Sequence, residues 1–167
     1  MSMHEPPVRV TPVDDRCRPL LCALHPSLSQ HGYVGTVSDM LADAAACTGS
    51  EAMAIWHGDS LAGCYRIDAN TRSISDRAFD QPARALRSFL IDAAWQRRGV
   101  GTMALAALLV DLARRHRETR LLALAVHEGN GVALRLYRRA GFLDHGTLYH
   151  GGRAGPQLLL LRTLPRP

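Results

Sequence analysis

The chemistry-bearing stretch of this chain is a glycine-spaced basic turn, Gln96-Arg97-Arg98-Gly99-Val100-Gly101-Thr102. It follows an apolar run, Ser88-Phe89-Leu90-Ile91-Asp92-Ala93-Ala94-Trp95, that reads as a strand, and it opens a long apolar-periodic segment that reads as a helix. A turn of this kind at a helix start aims several backbone N–H groups at one point, where the helix dipole is also positive. The chemistry on offer is capture of a phosphate-bearing ligand. Arg97 and Arg98 add formal positive charge inside the turn. A strand-to-helix turn also needs glycine for ordinary geometric reasons, so these seven residues alone leave both readings open.

The elements that must position this turn follow from periodicity and punctuation. Val8 to Val13 alternates as a first strand, weakened by Pro12. Asp14 or Asp15 can cap a helix carrying Leu20, Leu21 and Leu24, which Pro26 stops. Thr36 or Ser38 can cap a second helix with Met40, Leu41, Ala44 and Ala45 on one face and Gly49 as terminator. Strands at Glu51 to His57 and Leu61 to Asp68 flank a Gly58-Asp59 hairpin turn. Asn70 to Pro82 is the least regular stretch, a binding or lid segment or else a plain surface loop. Arg84 to Trp95 reads as the central strand and its exit.

The helix from Gly99 to about Arg117 carries Leu105, Leu108, Leu109 and Leu112 at i, i+3, i+4 and i+7, one apolar stripe. Arg114, Arg115, His116 and Arg117 fall in its last turns, where cations complement the dipole without any nucleic acid. Leu121 to Val126 is continuously apolar, as in a strand covered on both faces. His127-Glu128-Gly129-Asn130 leads to a helix with Ala133, Leu136, Tyr137 and Ala140 on one face, closed by Gly141. Phe142 to about Tyr149 and Gln157 to Leu164 complete the strands, with a loop from His150 to Pro156 between them. The order β-α-α-β-β-β-α-β-α-β-β describes a mixed α/β (α+β) fold with a sheet of about seven strands and four helices, in one domain over 1–167.

Composition narrows the function classes. At 167 residues with 47% hydrophobic and 21% charged residues, the chain suits one globular domain. The net charge of +5 comes from arginine, because the sequence has no lysine, and arginine favours bidentate phosphate contacts. Aromatics at 5% leave few stacking surfaces for bases, and the arginines are dispersed, so no nucleic-acid partner is expected. The most apolar run, Met103 to Ala113, is interrupted by Asp111 and too short for a bilayer, so no membrane association is expected. Cys17, Cys22, Cys47 and Cys64 have no metal-ligand spacing, and the eight histidines form no H-x-x-x-H pair; no metal is expected. The start of the chain lacks a basic segment followed by an apolar stretch, which sets reduced thiols in the cytoplasm as the expectation.

Gln96-x-x-Gly99-x-Gly101 after a strand resembles the acetyl-CoA motif of the GNAT superfamily of N-acetyltransferases. A second signature, Asn130-x-x-Ala133-x-x-x-Tyr137-x-x-x-Gly141-Phe142, stands after the next strand, where that family places it. The element order is similar too, so the resemblance spans nearly the whole chain. It implies acetyl-CoA as co-substrate and a sheet splayed between its fourth and fifth strands. It also implies a pyrophosphate cradled by the backbone of Arg97, Arg98, Gly99, Val100, Gly101 and Thr102. Gly99 and Gly101 keep Cβ atoms out of the way, and Gly99 can supply a backbone angle closed to other residues.

The resemblance implies further that the pantetheine arm pairs like an extra strand along Phe89 to Ala93, with Ile91 and Ala93 as backbone partners. The family often has a proline where this chain has Ala93. Asn130 resembles the residue that binds the CoA arm, although a plain N-cap would satisfy the spacing equally well. Tyr137 resembles the residue that protonates, or hydrogen-bonds, the departing thiolate; on residues alone it reads equally as a core aromatic.

An amine nucleophile arrives as ammonium and must lose a proton. Asp92, Glu51, His127 and Glu128 are the candidate bases, with Asp92 first for its place on the central strand. Ribosomal-protein and N-terminal acetyltransferases of the superfamily usually carry glutamate just before the valine at position 126, where this chain has Ala125. Phe89-Leu90-Ile91-Asp92 leading into Gln96 looks like the small-amine and polyamine branch, although Asp76 and Asp80 are few acids for a polycation. The expected function is acetyl transfer to a primary amine of a small molecule, by direct attack, in a monomer or homodimer. The alternatives are a CoA-binding regulatory module without turnover and an acetyltransferase for a protein or peptide amine.

Overall fold

The computed structural model describes residues 7–26, 36–75, 78–147 and 155–165. Along them run β1 (Val8–Pro12), α1 (Arg18–Cys22), α2 (Val37–Ala46), β2 (Ser50–His57), β3 (Ser60–Asp68) and β4 (Ala83–Ile91). There follow α3 (Val100–Arg115), β5 (Leu121–His127), α4 (Gly131–Arg139), β6 (Leu143–Thr147) and β7 (Gln157–Thr163). Among the described residues seven strands and four α-helices stand in the order expected from the sequence, with short 3-10 helices at Thr71–Ser73 and Ala93–Trp95. The sheet order is β1-β2-β3-β4-β5-β7-β6, and β4–β5 is its one parallel pair.

Local chemistry explains where elements begin and end. The Thr36 hydroxyl, not Ser38, caps α2 by accepting the Asp39 amide at 3.1 Å. The Asp14 carboxylate accepts the amides of Arg16 and Cys17 and so builds a turn ahead of α1, which is a short helix ending before Leu24. Gly49 does not end α2 directly: the helix stops at Ala46, and Gly49, at φ +79°, turns the chain into β2. The Gly58-Asp59 hairpin joins β2 to β3 as expected. The central strand ends at Ile91 and not near Trp95, because Ala93 to Trp95 coil into a 3-10 turn. The expected strand end at Tyr149, most of the loop from His150, and Asp76 lie outside the described residues.

The sheet separates two apolar layers. On one face Leu105, Leu108 and Leu112 of α3 are essentially unexposed and pack with Leu86, Ile91, Leu122, Leu124, Leu134, Tyr137 and Phe142. Full burial of each such leucine contributes about 2 kcal/mol. On the other face Leu21, Met40 and Leu41 of α1 and α2 pack with Ala54, Cys64 and Leu90. No helix among the described residues is long and apolar enough to cross a membrane.

Candidate active site

The site begins where β4 and β5 part. They pair only through Ala83–Leu121, Arg84–Leu122 and Ala85–Ala123; beyond Ala85 the edge of β4 facing β5 has no strand partner among the described residues. Opposite β3, the register shifts between Cys64 and Arg66, so that Ser88 and Phe89 together oppose Tyr65, and Ser88 stands at φ +54°. This bulge resets the alternation of side chains. Leu86, Phe89 and Ile91 therefore all pack on the α3–α4 face, while Leu90 packs on the α1–α2 face. Nothing in the sequence marks Ser88 as the bulge.

At the end of β4 the chain is fastened in three places. The Asp92 amide donates to the Ala62 carbonyl at 2.8 Å, which by antiparallel alternation turns the Ile91 amide toward the open edge. The Gln96 side chain donates from Nε2 to the Ile91 carbonyl at 2.9 Å, so this motif residue holds its own strand. The Ala93 amide donates to the His25 carbonyl at 2.8 Å. Ala93, expected as a second edge partner for a ligand, thus lies off the strand with its donor already used, because the chain has begun to coil.

The turn itself is open. Gly99 is the N-cap of α3, at φ +75°, and no side chain caps the helix. The amides of the first turn therefore have no capping side chain and face outward. Arg97 also has positive φ, +61°, so the loop alternates handedness in the way that gathers N–H groups into an anion-binding hollow. A Cβ at Gly99 would meet nothing within 4 Å, which makes its backbone angle the constraint and not a clash within the chain. Gly101 differs: a Cβ there would lie 3.3 Å from Cδ2 of Leu136 and 3.8 Å from Cγ1 of Ile91. Gly101 lets α3 pass close to α4 and β4. Val100 is buried as the first core residue of α3, whereas Arg97, Arg98 and Thr102 are exposed.

Tyr137 faces this region from α4. Its ring meets Phe89 edge-on at 6.2 Å and Phe142 at 5.7 Å, and Phe89 is tilted against Tyr65 at 6.3 Å. The ring is 8% exposed, and burial pushes the phenol pKa up from its ordinary value, so the hydroxyl keeps its proton through neutral pH. Among the described residues that hydroxyl has no hydrogen-bond partner. Asn130 Oδ1 accepts the Ala133 amide at 3.3 Å and caps α4. Phe89, which fixes the Tyr137 ring from the sheet, was not singled out from sequence because the bulge hides its facing.

The four candidate bases separate. Asp92 Oδ1 accepts the His25 amide at 2.8 Å, which ties the carboxylate to the segment after α1 on the α1–α2 face. Glu51 is corrected outright: its carboxylate lies 2.6 Å from both Arg115 and His116, at the C-terminal end of α3 and far from the turn. Burial alone would raise the Glu51 carboxyl, but Arg115 and His116 outweigh it and hold it below the usual carboxylate range. His127 ends β5 against Gly155, and Glu128 beyond it is exposed, its amide donating to the Pro156 carbonyl. No group of three or more His, Cys, Asp or Glu suited to a metal occurs among the described residues.

An uncapped helix start, a strand edge without a partner among the described residues and a buried phenol thus stand around the end of β4. The profile of the acetyltransferase (GNAT) family matches residues 17–142, and the chain belongs to that family. It is an acyltransferase that uses acetyl-CoA as co-substrate. A spermine/spermidine N(1)-acetyltransferase of Bacillus subtilis (strain 168) is 29% identical over 146 residues, which are 87% of this chain and 93% of that one. Among solved structures, spermidine N-acetyltransferase from Vibrio cholerae, in complex with CoA and spermine, shares the fold. Its TM-score is 0.72 at 13% identity, over 96% of this chain and 97% of that one. The ribosomal-protein-S18-alanine N-acetyltransferase from Escherichia coli also shares it, with a TM-score of 0.69 at 15% identity over 96% of both chains.

Proposed function

We propose that this chain, as one domain over 1–167, transfers acetyl from acetyl-CoA to a primary amine of a small molecule. The small-amine reading is supported by the 29% likeness to a spermine/spermidine acetyltransferase over most of both chains. Alanine at 125, where protein-acetylating members usually carry glutamate, favours the same side. Cytoplasmic location, monomeric or dimeric assembly and the lack of a nucleic-acid partner complete the reading. Several of its arginines are engaged with acids, as in Arg115 with Glu51 and Asp111 and Arg138 with Asp144.

In this mechanism the turn from Arg97 to Thr102 holds the pyrophosphate, with Asn130 and Ala133 at the start of α4 beside the CoA arm. The Ile91 amide pairs with the pantetheine. Asp92 takes a proton from the ammonium, and the freed amine adds to the thioester carbonyl. The C–S bond then breaks, the nitrogen loses its second proton, and Tyr137 donates to the departing thiolate, so the products are the amide, CoA thiol and one released proton. The observation that carries this is the pair of facings: Tyr137 approaches β4 from the α3–α4 face, and Asp92 is tied on the α1–α2 face. An amine and a leaving thiolate can then occupy opposite sides of one carbonyl.

The test is a thiol-release screen with acetyl-CoA against polyamines, amino acids, aminoglycosides and peptides. Turnover with a small amine is expected; turnover with peptides alone would shift the reading to a protein substrate. Tyr137→Phe should lower kcat by on the order of a hundredfold or more with CoA affinity kept. Asp92→Asn, which can still accept the His25 amide but cannot take a proton, should lower kcat without loosening the fold. Unchanged turnover in either variant removes that residue from the chemistry.

A further inference from the structure

Beside the cofactor turn, three side chains from two elements are layered on one another. The Trp95 ring stacks with His57, centroids 4.7 Å apart and planes 30° apart, and the Arg98 guanidinium carbon lies 4.5 Å from the centre of the Trp95 ring. His57 ends β2, and Trp95 closes the 3-10 turn that follows β4, so the stack is anchored to the sheet on both sides. Arg98 is nevertheless exposed, and no ion pair among the described residues includes it. Arg66, Arg84, Arg87, Arg114, Arg115 and Arg138 each face a carboxylate, and Arg9 lies over Trp56 at a distance from the cofactor turn. Arg98 is held in place with its charge uncompensated.

We propose that Arg98, laid on Trp95, is the residue that recognises the 3′-phosphate of CoA. The inference rests on the cofactor assignment and adds a side chain to a site otherwise built of backbone. CoA carries three phosphates. The amides of the turn suit the two of the pyrophosphate, which lie in line with the pantetheine arm. The third branches from the ribose and needs a donor that reaches past the turn. A guanidinium lying on an indole spends its face on the ring and leaves its N–H edge free, which is the edge that binds phosphate in two parallel hydrogen bonds. Stacking also removes much of the rotamer freedom that an exposed arginine would lose on binding. Arg97 has no such support and serves the turn through its backbone.

The experiment is calorimetric binding of CoA and of dephospho-CoA, which lacks only the 3′-phosphate, to the full chain and to four variants. The wild type is expected to prefer CoA by about tenfold or more. Arg98→Ala should collapse that ratio toward one. Arg98→Lys should restore part of it, and Trp95→Leu should reduce it with Arg98 still present. Arg9→Ala serves as the control: Arg9 lies 4.8 Å over Trp56, and its loss should leave the ratio intact. A ratio that survives Arg98→Ala, or that is lost equally in Arg9→Ala, overturns the proposal while leaving CoA binding in place. Failure of the wild type to bind either ligand overturns the cofactor assignment together with it.

Discussion

The two ends of α3 treat charge and backbone in opposite ways. At the N-terminal end Gly99 offers no capping side chain, Arg97 and Arg98 are exposed, and the first-turn amides face outward. At the other end, about 24 Å away along 16 residues, the polar groups are closed on one another. Arg115 bonds to Asp111 at 2.8 Å and to Glu51 at 2.6 Å, His116 meets Glu51 at 2.6 Å, and the His116 amide donates to the Leu112 carbonyl. One end is unsatisfied until a ligand comes; the other has satisfied itself and ties the helix to β2. A folded chain keeps open hydrogen-bonding capacity where binding supplies the missing partner. Changes at the two ends should therefore be read out by different measurements.

Gly99→Val is the sharpest way to break the open end. A β-branched residue at φ +75° is strained by about 1–2 kcal/mol in the left-handed region. Because a Cβ there meets nothing in the chain, the fold can absorb that strain by moving the turn. The amides then lose their common aim, and kcat/KM for acetyl-CoA should fall on the order of a hundredfold, as small misplacements of binding groups do. Tm should drop by only a few degrees. Gly99→Asn, which tolerates this backbone region, should recover much of the loss. Equal damage from both substitutions would show that the angle is not what matters.

At the closed end the expected effect is smaller and of another kind. Arg115→Met keeps the apolar stem but removes a cation shared by Glu51 and Asp111, leaving two partly buried carboxylates facing one another. Stability should fall by about 1–2 kcal/mol, since the pair is a quarter to a third exposed and solvent screens part of it. Denaturant midpoints check this. The KM for acetyl-CoA should hold in the folded fraction. A selective loss of cofactor affinity would erase the contrast between the ends.

This contrast also marks how much the sequence reveals. Element order, the glycine-spaced turn and the helix carrying Tyr137 were legible because each depends on short-range spacing: period, punctuation and cap chemistry. Glu51 reads as a candidate base from sequence because its partners, Arg115 and His116, are more than sixty positions away and meet it only after folding. The central strand was drawn too long because Asp92 to Trp95 is apolar enough to extend, yet the Asp92 amide and carboxylate tie it to Ala62 and His25. The bulge at Ser88 and the stack of His57, Trp95 and Arg98 escaped for the same reason: local spacing carries no record of cross-strand register. The buried pair of Arg66 and Asp68, joined by the part-buried Ser50 and Arg87, where Asp68 accepts from Ser50 at 2.6 Å and Arg66 at 2.7 Å, was equally invisible.

The smallest expected effect is a pH dependence that separates the ends without any change near the cofactor turn. Burial would raise the Glu51 carboxyl, but the hydrogen bond and charge of Arg115 and the nearby His116 reverse that and depress its pKa in the folded state. A depressed carboxylate binds fewer protons folded than unfolded, so its stabilisation is complete above the ordinary glutamate range near pH 4. It is lost as pH falls through the folded value. Between about pH 5 and pH 3, unfolding free energy should decline with a contribution from this residue on the order of 1 kcal/mol. Glu51→Gln should flatten that part of the slope, whatever it does to absolute stability. The stretch from Gln96 to Thr102 contains no carboxylate, so CoA affinity of the folded protein should not follow the Glu51 titration. If Glu51→Gln removed a pH step from CoA binding, the two ends of the helix would be coupled and the division between them would fail.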